Sequence, residues 1–254
     1  MKKFVMGDIH GAYRALTQCL ERSSFNKETD LLIQLGDVVD GFDEVYECVE
    51  ELLTIKNLIA IKGNHDEWFV NFFKTGYHEQ HWSQGGKGTV MSYLKKAGKK
   101  PNIIASKLFG FSANIDPSDV PESHRLFFEH QRPYYIDDNN CFVHGGFNRY
   151  EPFYEQREEI FYWDRSLFID AVEFEQLRKK IPDITFEMAT PFRQVFIGHT
   201  NTLVWKTDQP MAAANVINMD TGAGWGGKLS IMSLETGDFW QSDAVTDLYG
   251  YRSR

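Results

Sequence analysis

The chain has 254 residues, 42% hydrophobic and 25% charged, which is the composition of a soluble globular protein with one core. Its formal charge of −9 disfavours a nucleic-acid polymer as partner, because non-specific binders of such polyanions usually carry net positive charge. No apolar run is long enough to cross a membrane, and the run after residues 1–3 is too short for a signal peptide, so we expect a cytoplasmic protein.

The first quarter of the chain repeats one unit, in which a short apolar run ends at a polar cluster and a helical pattern follows. This alternation predicts βαβ units and a sheet that is buried on both faces. The loops at the carboxyl ends of such strands form the binding crevice, so we expect the polar clusters to meet there. The runs, each with its cluster, are residues 4–6 with Gly7-Asp8, residues 31–35 with Gly36-Asp37, and residues 58–61 with residues 62–66.

From about residue 77 to residue 140 the pattern is less regular. A glycine-rich turn at residues 84–88 leads into a predicted helix over residues 89–97, and loops with three prolines follow. No stretch here has the composition of a linker between independent domains. We therefore predict a single domain, residues 1–254, with a cap-like insertion at roughly 77–140.

Aromatic residues are frequent in this insertion. We expect four of them to form its own small core, and the alternative is a platform for a base or a phosphotyrosine ring. The four are Phe127, Phe128, Tyr134 and Tyr135. We interpret His78 and His81 as structural histidines rather than metal ligands, because they do not follow a predicted strand.

Strand patterns return in the second half of the chain. Residues 141–143 precede His144-Gly145-Gly146, and residues 194–197 precede Gly198-His199-Thr200. Two further strands are predicted at 216–219 and 229–232, and the Thr-Gly-Asp sequence at 236–238 predicts a final hairpin. Two more histidines thus stand at predicted strand ends.

The polar side chains at these strand ends are ligand types that suit particular metals. Carboxylates with imidazoles favour manganese, iron or zinc, whereas calcium and magnesium sites are mostly oxygen and water. Seven candidates are too many for one tetrahedral ion and suit two ions that share a carboxylate. Asp8 and His10 lie two apart at a strand exit, so an extended backbone points them to the same side. The seven are Asp8, His10, Asp37, Asn64, His65, His144 and His199.

Together the motifs make the chain resemble the phosphoprotein-phosphatase branch of the calcineurin-like metallophosphoesterases, in particular its short bacterial and lambda-phage-type members. The resemblance spans nearly the whole chain. It implies a four-layer αββα sandwich, with two mixed β-sheets flanked by helices. The matching stretches are GDIHG at 7–11, GDVVDG at 36–41, GNHD at 63–66, HGG at 144–146 and GHT at 198–200.

The resemblance implies a cofactor of two divalent metal ions, with manganese first and iron or zinc as alternatives. Asp8 and His10 match the ligands of the first ion, and Asp37 matches the carboxylate that bridges both ions. The ligands of the second ion are matched by Asn64, His144 and His199.

The resemblance also implies an acid for the leaving group. His65 matches the family's general acid, and Asp40 matches the carboxylate that orients this histidine. A metal pair lowers the pKa of bound water and clamps the attacking and leaving oxygens of a phosphate ester, and an imidazolium can supply the proton.

The second and third motifs depart from the family pattern. The family usually has Asp-Arg-Gly, and that arginine grips the phosphate, whereas Asp40 is followed here by Gly41. Arg165 matches another phosphate-gripping arginine of the phage-type members, and Arg149 is a candidate to compensate. The third motif ends in Asp66, where protein phosphatases usually have Glu and dinucleoside-tetraphosphate hydrolases often have Asp.

These matches predict a metallophosphatase, and its leading function is a serine/threonine protein phosphatase that uses a metal-activated hydroxide and a histidine acid. We expect a phosphorylated protein or a small phosphoester as its partner. One alternative is hydrolysis of diadenosine tetraphosphate or another nucleotide. A second alternative is a metal-binding scaffold without catalysis.

Overall fold

Two five-stranded sheets carry the predicted strand-end motifs in the computed structural model, which describes residues 1–78, 80–106 and 110–251, with main chain only for 80, 81 and 106. The strands are β1 (Lys3–Met6), β2 (Leu31–Gln34), β3 (Asn57–Ala60), β4 (Ile103–Ser106), β5 (Gly110–Ala113), β6 (Tyr134–Asp137), β7 (Asn140–Val143), β8 (Gln194–Ile197), β9 (Met211–Ala213), β10 (Val216–Asn218), β11 (Ser230–Ser233) and β12 (Phe239–Gln241). The helices are α1 (Tyr13–Arg22), α2 (Val45–Leu53), α3 (Asn64–Thr75), α4 (Gly86–Lys96), α5 (Glu122–Glu129), α6 (Glu158–Trp163), α7 (Ser166–Arg178) and α8 (Val245–Tyr249).

Both large sheets are mixed. The first has the order β12-β11-β1-β2-β3, and the second has the order β6-β7-β8-β10-β9. Strands β1, β2 and β3 run parallel, as do β7, β8 and β10, while β11 and β12 in the first sheet and β6 and β9 in the second pair antiparallel. Strands β4 and β5 form a separate hairpin.

Three apolar clusters arrange the elements in layers. One cluster joins the two sheets, and within it Phe142 of β7 stacks on Phe196 of β8, with ring centroids 5.0 Å apart, beside Val5 and Ile33 of the first sheet. The second cluster packs helices such as α1 and α2 on the outer face of the first sheet, and the third packs α6 and α7 on the second sheet. The predicted four-layer αββα sandwich is confirmed.

The segment predicted as an insertion does not form a core of its own. Phe127 and Phe128 belong to the core of the first sheet, Tyr134 packs in the core of the second sheet, and Tyr135 packs between the sheets. The expectation of one small aromatic core was wrong, because α4 and α5 pack against the helices of the first sheet. Strand β6 is part of the second sheet, so the segment outside the two sheets ends before Tyr134.

The parallel strands bring the polar motifs to one edge of the sandwich. Asp8 follows β1, Asp37 follows β2, Asn64 follows β3, His144 follows β7 and His199 follows β8. The carboxyl ends of parallel strands in one sheet lie on the same side, so the turns after them converge.

Several turns at this edge have an unusual backbone. His10, Asp37, Asp40 and His199 have φ angles of 51°, 53°, 64° and 67°, a left-handed region that residues other than glycine seldom occupy. Each such residue costs about 1–3 kcal/mol and persists where the surroundings hold it. Three turns at one edge contain these four residues, and this strain marks that edge as a candidate functional site.

Phe142 gives a direct test of the packing between the sheets. Replacing its fully buried ring in Phe142→Ala should lower the free energy of unfolding by about 3–5 kcal/mol, because a cavity remains between the sheets. Urea denaturation measures this loss. Phe239→Ala, which removes a ring that is 38% exposed on β12, is the matched control and should cost much less. Equal losses in the two variants would contradict the described layers.

Candidate active site

Two groups of potential metal ligands share one carboxylate. Asp8, His10 and Asp37 form the first group, and Asp37, His144 and His199 form the second. Within each group the ligand atoms lie within 4.8 Å of one another, and all five residues are buried. The geometry therefore offers two adjacent cation sites with Asp37 between them.

The two oxygens of Asp37 face different histidines. Oδ2 lies 3.7 Å from Nε2 of His10, and Oδ1 lies 3.4 Å from Nε2 of His144. Asn64 joins the second group, since its Oδ1 lies 3.2 Å from Nε2 of His144. The structure thus brings together the six residues predicted as ligands, and their coordination of metal stays a prediction.

Backbone carbonyls set the tautomers of two histidines. Nδ1 of His10 lies 3.0 Å from the carbonyl oxygen of Val39, and Nδ1 of His144 lies 2.7 Å from that of Leu35. A carbonyl oxygen only accepts, so both Nδ1 atoms carry the proton. Each Nε2 then faces Asp37 and is the nitrogen that would bind a metal ion after losing its proton.

The buried polar atoms fit divalent cations. Oδ1 of Asp8 and Nε2 of His199 have no hydrogen-bond partner among the described residues. Burial and then the neighbouring Asp220 carboxylate raise the pKa of Asp8 well above its usual range, with a further contribution from Asp37. Three buried carboxylates at one place need positive charge, and two divalent ions supply it.

The histidine pKa values also match a cation site. Burial and then the charges of His144 and Arg165 hold the pKa of His199 well below its usual range, so this imidazole is neutral. Burial opposes the charge of His144, yet Asp37, together with Asp8 and the carbonyl of Leu35, outweighs burial and raises the pKa of His144 to about 9. In return His144 and His65 keep the pKa of Asp37 well below its usual range despite burial.

His65 lies beside the shared carboxylate without belonging to either group. Its Nδ1 is 2.9 Å from Oδ2 of Asp40, and its Nε2 is 4.0 Å from Oδ2 of Asp37. The backbone N–H of His65 donates to Oδ1 of Asp37 at 3.1 Å. Asp40 therefore orients the ring so that Nε2 points towards the two cation sites.

The two arginine candidates lie in different surroundings. Arg165 is exposed at the rim of the second group, where its Nη1 donates to the carbonyl of His199 at 3.0 Å and to the hydroxyl of Thr200 at 2.6 Å. Arg149 is paired with Asp170, at 2.9 Å between Nε and Oδ2. Among the residues that the structure describes, Arg149 contacts no candidate metal ligand, and its assignment to phosphate stays a prediction.

Gly41 shows why an arginine is missing from the second motif. A Cβ built at this position would lie 2.5 Å from the carbonyl oxygen of His10, closer than real Cβ atoms approach. The next residue, Phe42, is fully buried and stacks on Tyr249 of α8, with ring centroids 4.0 Å apart. This backbone holds no side chain at position 41.

Asp66 joins two turns of the site by hydrogen bonds to their main chain. Its carboxylate accepts backbone N–H groups of Val38 (2.9 Å) and Gly63 (3.1 Å) and the amide of Gln131 (2.8 Å). Burial and then Asp37 raise the pKa of Asp66 to about 7, and these donors oppose that rise. With no exposed surface, Asp66 cannot contact a substrate directly.

Aromatic rings line one side of the site. Trp68 packs edge-on against His65, with ring centroids 4.7 Å apart, and Trp163 packs against Trp68 at 5.4 Å and His199 at 6.1 Å. Trp163 is 45% exposed and borders a groove of about 420 Å³. Sequence reasoning missed this pair because its members lie far apart in the chain.

Other residues near the site carried weak or no sequence signals. Asp220 follows β10 in a turn that only weakly matches the family. Its negative charge contributes to the raised pKa of Asp8. Gly224 lies so close to the ring of His10 that a Cβ there would be 2.5 Å from it. His78 packs among aromatic rings such as Phe72 at 4.9 Å, as expected, and the side chain of His81 lies outside the described residues.

Among the residues that the structure describes, no helix has both the length and the apolar composition to span a membrane.

Comparisons with known proteins agree with this geometry. The chain is 31% identical over 134 residues to serine/threonine-protein phosphatase 2 of Escherichia coli, an alignment that covers 49% of this chain and 61% of that enzyme. It is 22% identical over 289 residues to the symmetrical bis(5′-nucleosyl)-tetraphosphatase of Pasteurella multocida, covering 96% and 98%. Less than two thirds of the phosphatase is thus spanned.

A solved structure shows the same fold. A crystal structure provisionally described as a diadenosine tetraphosphatase superposes with a TM-score of 0.62 at 16% identity, and the match covers 94% of this chain and 92% of that one. The family model described as calcineurin-like phosphoesterase matches residues 1–201. The chain therefore belongs to the calcineurin-like phosphoesterase family.

Proposed function

We propose that this phosphoesterase hydrolyses phosphomonoesters with two divalent metal ions, and that its leading substrates are phosphoserine and phosphothreonine in proteins. The observation that carries the proposal is Asp37, shared by two ligand groups with His65 beside it. The similarity to a serine/threonine phosphatase over half of the chain supports the substrate class.

Two sets of residues, which share Asp37, would hold the two ions in this proposal. Asp8, His10 and Asp37 hold one ion, and Asp37 with Asn64, His144 and His199 holds the other. When bound, such ions stabilise negative charge on the phosphate and activate water. Manganese suits this mixture of carboxylate, amide and imidazole ligands, with iron or zinc as alternatives.

The protein's own groups bind and protonate the ester. Arg165, at the rim, binds the non-bridging phosphate oxygens with its guanidinium. Water adds its OH to phosphorus and releases one proton to solvent while the ester P–O bond breaks, and His65 Nε2 gives its proton to the departing oxygen. The products are an alcohol and inorganic phosphate. Asp40 stabilises the protonated ring before the transfer.

His65→Asn tests the acid separately from the metals. The variant should lose about 10²-fold or more in kcat on a phosphoserine peptide, because no group protonates the leaving oxygen. Its manganese content, measured by elemental analysis, should stay that of the unmodified protein. His130→Asn changes an exposed histidine on the same fold and should keep the full rate. A full rate in His65→Asn would contradict the assigned role.

A dinucleoside tetraphosphate is the second candidate substrate. The relatives that match nearly end to end are named as symmetrical tetraphosphatases. The exposed ring of Trp163 beside His199 favours a ligand with a base, since stacking of a base on an aromatic side chain is worth about 1–3 kcal/mol. In contrast, a phosphoserine peptide needs no such platform.

A comparison of kcat/KM in manganese separates the two substrates. We expect the phosphoserine peptide to be cleaved faster than diadenosine tetraphosphate, and Trp163→Ala to change the peptide rate little. A faster reaction with the dinucleotide, reduced about 10-fold in Trp163→Ala, would overturn the leading substrate in favour of the second. No turnover of either substrate with two metals bound would instead support a scaffold without catalysis.

A further inference from the structure

The carboxylate of Asp40 is held by two side chains from the stretch of chain that connects β3 of the first sheet to β6 of the second sheet. The indole Nε1–H of Trp82 donates to Oδ1 of Asp40 at 2.9 Å, and the hydroxyl of Thr89 donates to the same oxygen at 2.6 Å. The other oxygen, Oδ2, lies 2.9 Å from Nδ1 of His65. Trp82 and Thr89 therefore satisfy the oxygen that is turned away from the acid.

Thr89 also holds the backbone of Asp40. The backbone N–H of Asp40 donates to Oγ1 of Thr89 at 3.0 Å, so the hydroxyl accepts from the main chain and donates to the side chain of one residue. Asp40 has a φ of 64°, a conformation that a residue with a side chain adopts only when its surroundings hold it. This closed pair of hydrogen bonds supplies such a hold.

Two glycines permit the approach. A Cβ at Gly88 would lie 2.1 Å from the carbonyl oxygen of Gly41, and a Cβ at Gly86 would lie 2.6 Å from the ring of Trp82. The start of α4 thus packs directly on the turn that contains Asp40. This contact explains why the turn at residues 84–88 is rich in glycine. Neither the candidate metal ligands nor the proposed acid accounts for that composition.

Burial makes these hydrogen bonds strong and their loss costly. Asp40, Trp82 and Thr89 have no exposed surface. Hydrogen bonds to an ionised group are about twice as strong as neutral ones, and a buried polar group that loses its partner is destabilised. A turn of the Asp40 carboxylate would carry the ring of His65 with it.

We propose that Trp82 and Thr89 are positioning residues that hold Asp40 at the angle from which it directs His65 Nε2 to the leaving oxygen. The inference rests on the proposed function, since it concerns the proton transfer in that reaction. Under this inference, the segment predicted as an insertion helps to hold the general acid, His65, in position.

Two aryl phosphates that share a ring and differ in the basicity of the leaving group test the inference. Phenyl phosphate releases a basic phenolate that needs a proton, whereas 4-nitrophenyl phosphate releases a stabilised anion that needs little help. Thr89→Val keeps the shape of the side chain, Trp82→Phe keeps an aromatic ring in a smaller volume, and both remove the donor. Because a general acid contributes about 10²–10⁴-fold, both variants should lose about 10-fold or more in kcat/KM on phenyl phosphate and under about 3-fold on the nitrophenyl ester.

Two controls separate positioning from packing. Thr89→Ser keeps the hydroxyl and should restore the ratio of the two rates. Ser92→Ala removes another buried hydroxyl of α4, which accepts the backbone N–H of Tyr46 at 2.9 Å, and should leave the ratio unchanged. Manganese content is measured for every variant and should not change.

The outcomes are distinct. Equal losses on the two esters, or no loss, in Trp82→Phe and Thr89→Val would overturn the positioning role while leaving the proposed function intact. If Thr89→Val does not fold, Trp82→Phe alone decides. An unmodified protein that cleaves neither ester with two metals bound would overturn the proposed function, and the inference would fall with it.

Discussion

Three carboxylates buried at the meeting point of two sheets are the constraint on which the site depends. Asp8, Asp37 and Asp220 are each about 2% exposed, and burial, followed by repulsion from Asp220 and Asp37, raises the pKa of Asp8. Burying like charges is costly unless opposite charge is close by. The histidines next to Asp37 compensate only part of this charge, and two divalent ions at the shared carboxylate would compensate the rest.

The same constraint explains the surrounding architecture. The turns after β1, β2 and β8 adopt left-handed conformations that place Asp37, His10 and His199 towards one point. Backbone carbonyls at Val39 and Leu35 orient the histidines, and Asp66 ties the turn after β2 to the start of α3. The site is thus held by the main chain of the sandwich, and Trp82 and Thr89 add hydrogen bonds that hold the carboxylate of Asp40.

The cluster of polar side chains could be predicted from sequence because each member closely follows a strand, and parallel strands bring such positions together. Which members would hold metal was implied by the family resemblance and stays a prediction. Arg165 was found through its local motif, and it does lie at the rim. The contacts of Trp82 and Thr89 with Asp40 could not be predicted. They join side chains that are separated in the sequence by 42 and 49 positions, and the chain between them follows no regular pattern. The small aromatic core was wrong for a related reason: periodicity identifies an apolar residue but not the neighbour that buries it.

The most direct test of the account is a crystal structure of the protein grown with manganese, with anomalous scattering data that locate the metal. The account predicts two peaks on either side of the Asp37 carboxylate, about 3.5–4 Å apart, one beside His10 and the other beside His144. A single peak, or no peak at Asp37 while manganese is bound elsewhere, would contradict the shared-carboxylate site and the mechanism built on it.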